Sequence, residues 1–347
     1  MIDTNMSNEK NITIRLENVT KEFKVLNRRQ GIGGSIKDLF TPNYNIVKAV
    51  NDISLAIPEG EIVGFLGPNG AGKSTTIKMM TGVLEPTSGN IIVGEKVPYK
   101  NRIVTARKIG VVFGQRTQLW WALPFIESLK ILKDIYEISD EHYKEQIELY
   151  ESIIDLNDLY NKPVREMSLG QRTLCDILAA FLHNPKVIFL DEPTIGLDVS
   201  MKSKIRELIK VLNKQRNTTV VLTTHDIGDV DALCDRIVII DKGAVLYDDA
   251  SYNLKEHFGA YRTLKLKFLK EISVDELTQK LNNKFPNSSS IFVSCSEGWT
   301  NVLSKEDQTP VMEILKFVQE VLDIKDIKIE EISTEDIIKK IYERSEI

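Results

Sequence analysis

One nine-residue run has the residue types and spacing of a phosphate-binding loop. It reads Gly67-Pro68-Asn69-Gly70-Ala71-Gly72-Lys73-Ser74-Thr75 and fills every fixed position of the pattern GxxxxGK[ST]. Its glycines let successive backbone N–H groups turn toward one anion, while Lys73 is expected to bind the β- and γ-phosphates and Ser74 to bind Mg²⁺. The run, called the phosphate loop below, therefore predicts a nucleotide site that takes ATP with Mg²⁺.

Two adjacent carboxylates, Asp191 and Glu192, have the residue types that hydrolysis of a nucleotide needs. Asp191 is expected to hold Mg²⁺, directly or through water, and Glu192 to accept a proton from the attacking water. A base placed for water favours an ATPase over transfer of the phosphoryl group to a second substrate. Guanine specificity is not expected, because residues 213–216 read Asn-Lys-Gln-Arg and lack the Asp of a guanine-reading motif.

Short strands and one helix must position these groups. Residues 61–66 read as a buried strand entering the phosphate loop, and residues 75–80 as the helix leaving it. The apolar residues 187–190 predict a strand buried on both faces, which brings Asp191 to its carboxyl end. Open α/β sheets place their ligands at that edge, so the loop and the carboxylates are expected to meet there.

A third motif, Met167-Ser168-Leu169-Gly170-Gln171-Arg172, opens an apolar-periodic helix. Ser168 stands at a good N-cap position, and one interpretation is that it does nothing more. The alternative is a second anion site, built from the Ser168 hydroxyl, the Gly170 backbone and the helix N-terminus.

Composition limits the class of protein. The chain has 347 residues, 42% of them hydrophobic, and a net charge of −5 with both signs mixed. Such a chain can build two globular domains and carries no electrostatic footprint for nucleic acid, so no nucleic-acid partner is expected. No uninterrupted apolar run is long enough to span a membrane, and the first residues lack the pattern of a signal peptide. The expected location is cytoplasmic, with any membrane contact made through a protein partner.

The motifs and their order along residues 12–249 resemble the ATP-binding cassette superfamily. Its signature motif reads LSGGQ, and residues 167–171 read MSLGQ here. Ser168, Gly170 and Gln171 match this signature, whereas Met167 and Leu169 depart from it. In the superfamily the signature of one subunit closes over the phosphate loop of another. The resemblance therefore implies two ATP molecules between two cassettes arranged head to tail, with Ser168, Gly170 and Gln171 contacting nucleotide.

The resemblance also implies roles for four more residues. Gln115 matches the Gln loop, which joins the metal site to the transmembrane partner, so it is expected at the metal and in catalysis. Asp198 matches the D-loop, and His225 matches the switch histidine that contacts the γ-phosphate. Phe23 stands near the position of the aromatic residue that stacks on adenine, although an ordinary core aromatic is an equal alternative.

A further resemblance is to the ATPases of bacterial exporters related to drug-resistance and viologen-export systems. It rests on residues 113–121, the signature and residues 193–198. Ala122 departs from this pattern, in which an Asp is expected. This resemblance implies the ATP-binding and ATP-hydrolysing subunit of an export transporter. It would pair with a second cassette, either another copy in a homodimer or a related chain. It would also energise separate permease subunits and lie peripherally on the cytoplasmic face of the cell membrane. The alternatives are a soluble cassette ATPase acting on DNA or the ribosome, and a nucleotide-dependent interaction module without turnover.

The expected fold class is α/β: a P-loop NTPase cassette with a mixed core sheet in residues 1–250. A helical subdomain is expected at about 116–185, and residues 24–48 are longer than a plain hairpin needs. Residues 251–347 alternate strand and helix signals and predict a small α+β accessory domain, with a ferredoxin-like arrangement as one interpretation. Because no catalytic constellation is visible in it, dimer contacts or regulation are the expected roles.

Overall fold

The computed structural model describes residues 11–27, 44–114, 116–258, 261–270, 272–286, 291–296 and 298–331, together with 334, 337, 338 and 341. These residues form two compact units, one up to Asp249 and one from Ala250 onward.

Strands of the first unit form two sheets. Their ranges are β1 Ile12–Leu26, β2 Tyr44–Pro58, β3 Ile62–Leu66, β4 Ser88–Val93, β5 Ile109–Phe113, β6 Val187–Asp191, β7 Thr219–Thr224, β8 Arg236–Asp241 and β9 Ala244–Ala250. One sheet is antiparallel with order β2-β1-β4, and the other has order β5-β6-β7-β3-β8-β9, parallel from β5 to β8. Every residue of β3 and β7 is buried, as expected for strands covered on both faces.

Eight helices connect these strands within the described residues. Their ranges are α1 Lys73–Met80, α2 Arg102–Ala106, α3 Phe125–Ile135, α4 Asp140–Ile153, α5 Asn157–Tyr160, α6 Leu169–Phe181, α7 Val199–Arg216 and α8 Ile227–Leu233. Helices α3 to α6 lie between β5 and β6 in the chain and correspond to the predicted helical subdomain. Within it, the buried Tyr150 of α4 donates to the Leu178 carbonyl oxygen of α6 at 2.8 Å.

The two sheets share one hydrophobic core with α1. Leu16 of β1, Phe65 of β3, Ile77 of α1 and Phe189 of β6 belong to it, and each is at most 2% exposed. Because α1 packs in this core, the loop between β3 and α1 has both of its ends fixed. Among the described residues, no helix combines the length and apolarity needed to cross a bilayer.

The second unit is a four-stranded antiparallel sheet with helices. Its elements are α9 Ser251–Phe258, β10 Tyr261–Phe268, α10 Val274–Lys284, β11 Phe292–Ser296, β12 Trp299–Lys305, α11 Val311–Val321 and β13 Ile324–Glu331. The sheet order β11-β12-β10-β13 and the βαββαβ succession from β10 are those of a ferredoxin-like fold. The sequence patterns did not predict β12, because Asn301 and the fully buried Ser304 interrupt its apolar alternation.

Candidate functional site

The phosphate loop connects β3 to α1, and at two of its glycines, Gly67 and Gly72, there is no room for a side chain. Gly72 has φ 111° at the N-cap of α1. A Cβ atom there would lie 2.5 Å from the Ala49 carbonyl oxygen, and one on Gly67 would lie 2.2 Å from the Ile240 carbonyl oxygen. The loop can therefore follow this path only without side chains at these positions, and it places the N-terminus of α1 toward a potential anion.

A cavity of about 370 Å³ lies against this loop and is called the loop cavity below. Its lining consists of Ala49, residues 69–75, Glu192, Ile195 and His225. The predicted phosphate-binding residues, the predicted base and the predicted switch histidine thus meet at one site. Among the described residues that line the cavity, none comes from the signature.

Lys73 is held across the phosphate loop. Its Nζ donates to the Gly67 carbonyl oxygen at 2.6 Å and to the Pro68 carbonyl oxygen at 3.1 Å, and the residue is 6% exposed. Burial lowers the pKa of Lys73, although the nearby Glu192 and Asp191 carboxylates act in the opposite direction. The ammonium is therefore a poorly hydrated cation whose present partners are neutral carbonyls, and a phosphate would be a stronger partner.

Ser74 and Asp191 come together as the sequence predicts. The Ser74 Oγ donates to Asp191 Oδ1 at 3.0 Å, and the Thr223 hydroxyl donates to the same oxygen at 2.6 Å. A hydroxyl and a carboxylate are hard oxygen donors of the kind that Mg²⁺ prefers, so this pair fits the predicted metal. Gln115, the third predicted ligand, lies outside the described residues.

Glu192 has an unusual backbone conformation. Its φ of 55° lies in the left-handed region, which costs a non-glycine residue roughly 1–3 kcal/mol and persists only where neighbouring contacts enforce it. One such contact is the Glu192 N–H, which donates to the Thr223 carbonyl oxygen at 3.1 Å. β6 ends at Asp191, just before this strained turn, and Glu192 lines the loop cavity.

His225 and Glu192 are hydrogen-bonded to each other. The His225 Nδ1 lies 2.8 Å from Glu192 Oε2, and because an ionised carboxylate only accepts, Nδ1 carries the proton. The other ring nitrogen, Nε2, is left to act on a substrate. This bond fixes the orientation of the imidazole, which is more than half exposed.

The signature forms the start of α6, where Ser168 and Gln171 cap the helix through two reciprocal hydrogen bonds. Ser168 Oγ accepts from the Gln171 N–H at 3.2 Å, and Gln171 Oε1 accepts from the Ser168 N–H at 3.1 Å. The predicted N-cap is confirmed. The Gln171 side chain, which also accepts from Lys162 at 3.0 Å, is occupied by structural bonds in the single chain. Its predicted contact with nucleotide stays a prediction, as do those of Ser168 and Gly170.

Gly170 allows the starts of α6 and α7 to approach each other, and Asp198 caps α7. A Cβ atom on Gly170 would lie 2.5 Å from Met201 Cγ, so only glycine allows this approach without displacing the methionine. Asp198 is the N-cap of α7 and accepts from the Met201 N–H at 2.9 Å. Neither Gly170 nor Asp198 lines the loop cavity of its own chain.

Three aromatic residues, Phe23, Trp120 and Trp121, are exposed. Phe23 on β1 is 39% exposed, with the Lys21 Nζ 5.4 Å from its ring centre. It is therefore not a core aromatic, and it does not line the loop cavity, so stacking on adenine stays a prediction. Trp120 and Trp121 belong to the exporter-like residues 113–121. They are 37% and 54% exposed, so neither is a core residue, and the Arg172 guanidinium lies over the Trp121 ring.

Sequence reasoning missed Asp176, which ties the segment after Gln115 to the signature helix. This residue of α6 is 5% exposed, and its Oδ1 accepts from the Thr117 hydroxyl at 2.8 Å and the Gln118 N–H at 3.0 Å. The signal that could have revealed it is a single Asp on the apolar face of a helix. Burial raises the pKa of Asp176 to about 6, although these hydrogen bonds oppose the shift.

Asp176→Asn should change how stability depends on pH. Because the folded protein holds this proton more tightly than the unfolded chain, wild type loses stability as pH rises from about 4 to about 6. Asparagine keeps the Oδ1 acceptor and cannot ionise. The free energy of unfolding of the variant should therefore gain up to about 3 kcal/mol relative to wild type between about pH 4 and pH 7. Urea unfolding at several pH values tests this, with exposed Asp134→Asn as the control; a difference that does not vary with pH would contradict it.

Comparisons with known proteins agree with this geometry. The family model described as "ABC transporter" matches residues 50–195. The ABC transporter ATP-binding protein NatA of Bacillus subtilis is 36% identical over 217 residues, which cover 62% of this chain and 88% of NatA. The linearmycin resistance ATP-binding protein LnrL of the same organism is 34% identical over 223 residues, covering 64% of this chain and 71% of LnrL.

A solved structure extends the likeness to three dimensions. The dimeric post-hydrolysis structure of the ATP-binding cassette MJ0796 bound to ADP and Pi is 28% identical, with a TM-score of 0.55, and covers 68% of this chain and 98% of that one. The predicted α/β cassette fold with a small C-terminal α+β domain, ATP hydrolysis and the use of ATP with Mg²⁺ are confirmed. The chain belongs to the ABC transporter family and is an ATP-hydrolysing, ATP-binding subunit.

Proposed function

We propose that two copies of this chain bind Mg·ATP between them, head to tail, and that their closure drives separate permease subunits. The observation that carries this proposal is the loop cavity, which contains the phosphate loop, Glu192 and His225 but no signature residue. A second copy can supply what is missing. The N-terminus of its α6 would bring the Ser168 hydroxyl, the Gly170 N–H and the positive end of the helix dipole to the γ-phosphate.

The chain's own residues bind and orient the nucleotide. Lys73 would exchange the Gly67 and Pro68 carbonyls for the β- and γ-phosphates, because a charge-assisted bond is stronger than a neutral one. The oxygens of Ser74 and Asp191, with Gln115, would hold Mg²⁺, which supplies neutralising charge on the phosphates. Gly67, residues 69–72 and Thr75 would contribute backbone N–H groups. Pro68 has no N–H and would contribute only to the shape of the loop, while Phe23 would offer a surface for adenine.

Glu192 is proposed as the general base and His225 as its partner. The carboxylate would accept a proton from water as the water oxygen forms a bond to the γ-phosphorus and the bond to the β–γ bridging oxygen breaks. The electron pair of that bond stays on ADP. His225 would hold the carboxylate through Nδ1–H and donate from Nε2–H to a γ-phosphate oxygen. Asp198 and Gln171 would contribute to the same site from the opposing copy.

Coupling to a permease is proposed at the surface around Trp120 and Trp121. Exposed aromatic residues are typical of protein interfaces. Arg116, four residues before Trp120 in the chain, lines a cavity of about 360 Å³. Gly114, the predicted metal ligand Asp191 and the predicted base Glu192 line the same cavity. Gly114 and Arg116 flank Gln115, so a partner docked here could act on the ATP site.

Transport outward, across the cell membrane from its cytoplasmic face, is proposed from the exporter-type motifs and from similarity to a protein named for linearmycin resistance. The alternative of a soluble ATPase acting on DNA or the ribosome is not favoured. We propose the cassette as residues 1–250, and dimer contacts or regulation for residues 251–347.

Reconstitution tests this proposal. The chain is co-expressed with the multi-span membrane proteins encoded beside its gene, purified in detergent and placed in vesicles, and ATP turnover is measured. We expect a stable complex that Trp121→Glu disrupts, since burying an unpaired charge in an interface is unfavourable. Ile103→Glu, at an apolar residue of α2 that is 77% exposed, is the control and should not disrupt it. Recovery of the chain with ribosomes or DNA instead would favour the alternative.

A further inference from the structure

A buried carboxylate outside the loop cavity holds several of the segments that form it. Asp229 of α8 is fully buried. Its Oδ1 accepts from Arg206 Nε at 2.7 Å and from the second guanidinium nitrogen at 2.6 Å. Its Oδ2 accepts from the Thr224 hydroxyl at 2.9 Å and from the Thr194 hydroxyl. Four donors thus satisfy one carboxylate, which explains how it tolerates burial.

The donors come from three segments that matter to the ATP site. Thr194 follows the predicted base Glu192 by two residues, and Thr224 immediately precedes His225. Arg206 belongs to α7, whose N-cap is Asp198. One carboxylate therefore links the segments that carry the base, the switch histidine and the D-loop residue.

Neighbouring bonds reinforce the switch segment more than the residues that follow Glu192. The Thr224 hydroxyl accepts from the Asp226 N–H at 2.9 Å, and the Asp226 carboxylate pairs with Lys202 of α7. After Glu192, the backbone bonds from Ile195 to Glu192 and from Leu197 to Thr194 are both long, at 3.3 Å. The Thr194 hydroxyl is therefore a principal anchor of the strained turn at Glu192, which needs outside contacts to persist.

We propose that Asp229 is a positioning residue for ATP hydrolysis, which fixes Glu192 relative to His225 through Thr194 and Thr224. This inference rests on the roles proposed for Glu192 and His225. Loss of the anchor lets the turn at Glu192 relax, so the carboxylate no longer meets the attacking water in the productive orientation. The phosphate loop is held separately by β3 and α1, so ATP binding should not change.

Thr194→Val removes the hydroxyl that bonds to Asp229 and keeps the shape of the side chain. Asp229→Ala would leave the Arg206 guanidinium unpaired, whereas Thr194→Val does not. In the full-length chain we expect kcat to fall by about 10- to 100-fold while KM for ATP stays within about twofold. Thr194→Ser restores the donor and should recover most of the rate.

A matched control separates positioning from stability. Thr218 is 1% exposed, and its hydroxyl donates to the Pro185 carbonyl oxygen at 3.0 Å, just before β7 and at the opposite end of that strand from His225. Thr218→Val loses a comparable buried hydrogen bond. It should lower the melting temperature as Thr194→Val does, but leave kcat unchanged.

Including Glu192→Gln in the series makes the outcomes distinguishable. If Glu192→Gln retains turnover, the proposed base is wrong, and with it the foundation of this inference. If Glu192→Gln is inactive while Thr194→Val has the kcat of Thr218→Val, the proposed function survives and the positioning role of Asp229 is overturned. A loss of kcat in Thr194→Val that serine does not rescue would also overturn it.

Discussion

Glu192→Gln is expected to slow ATP hydrolysis by about 10²- to 10⁴-fold, the contribution typical of a general base. The amide has the size of the carboxylate, and its oxygen can still accept from His225 Nδ1. It cannot take a proton from water. Binding should survive, because Lys73, Ser74 and the glycines of the phosphate loop are unchanged, so an ATP-bound dimer should accumulate.

Three measurements check this expectation on purified full-length protein. Steady-state ATPase assays give the rate, calorimetric titration gives ATP affinity, and size-exclusion chromatography with Mg·ATP gives the association state. Glu59→Gln, just before β3 and outside the loop cavity, is the control and should keep the wild-type rate. Near-normal turnover in Glu192→Gln would remove Glu192 from the role of base.

Structural features formed by residues close together in sequence were predictable. The phosphate loop fixes the order strand, loop, helix within a few residues, and the structure has β3, the loop and α1 in that order. The position of Asp191 was predictable because the four apolar residues before it form a buried strand. A polar residue directly after such a run lies at the carboxyl end of the strand. The Ser168 cap was predictable for the same reason, since its partner Gln171 lies three residues away.

Features that depend on distant residues could not be read from the sequence. Thr194 and Asp229 are 35 residues apart, and Thr117 and Asp176 are 59 apart, so only the folded chain shows these pairs. The left-handed backbone of Glu192 has no local signal, because the contacts that hold it come from β7 and α8. The contact of Gln171 with nucleotide stays a prediction, because in the single chain the Gln171 side chain closes the cap of α6.

The ATPase activity of two heterodimers, each purified through two different tags, tests whether a second copy completes the ATP site. The first pairs Ser168→Arg, which has an intact phosphate loop, with Lys73→Ala, which has an intact signature. Head-to-tail assembly gives this pair one complete site, although each mutant homodimer has none.

The second heterodimer pairs wild type with a chain carrying both substitutions. In the head-to-tail arrangement both of its sites are incomplete, whereas a site built within one chain would leave the wild-type copy fully competent. We expect the first heterodimer to hydrolyse ATP at a substantial fraction of the wild-type rate and the second heterodimer to be inactive. Activity in the second heterodimer with none in the first would contradict this expectation.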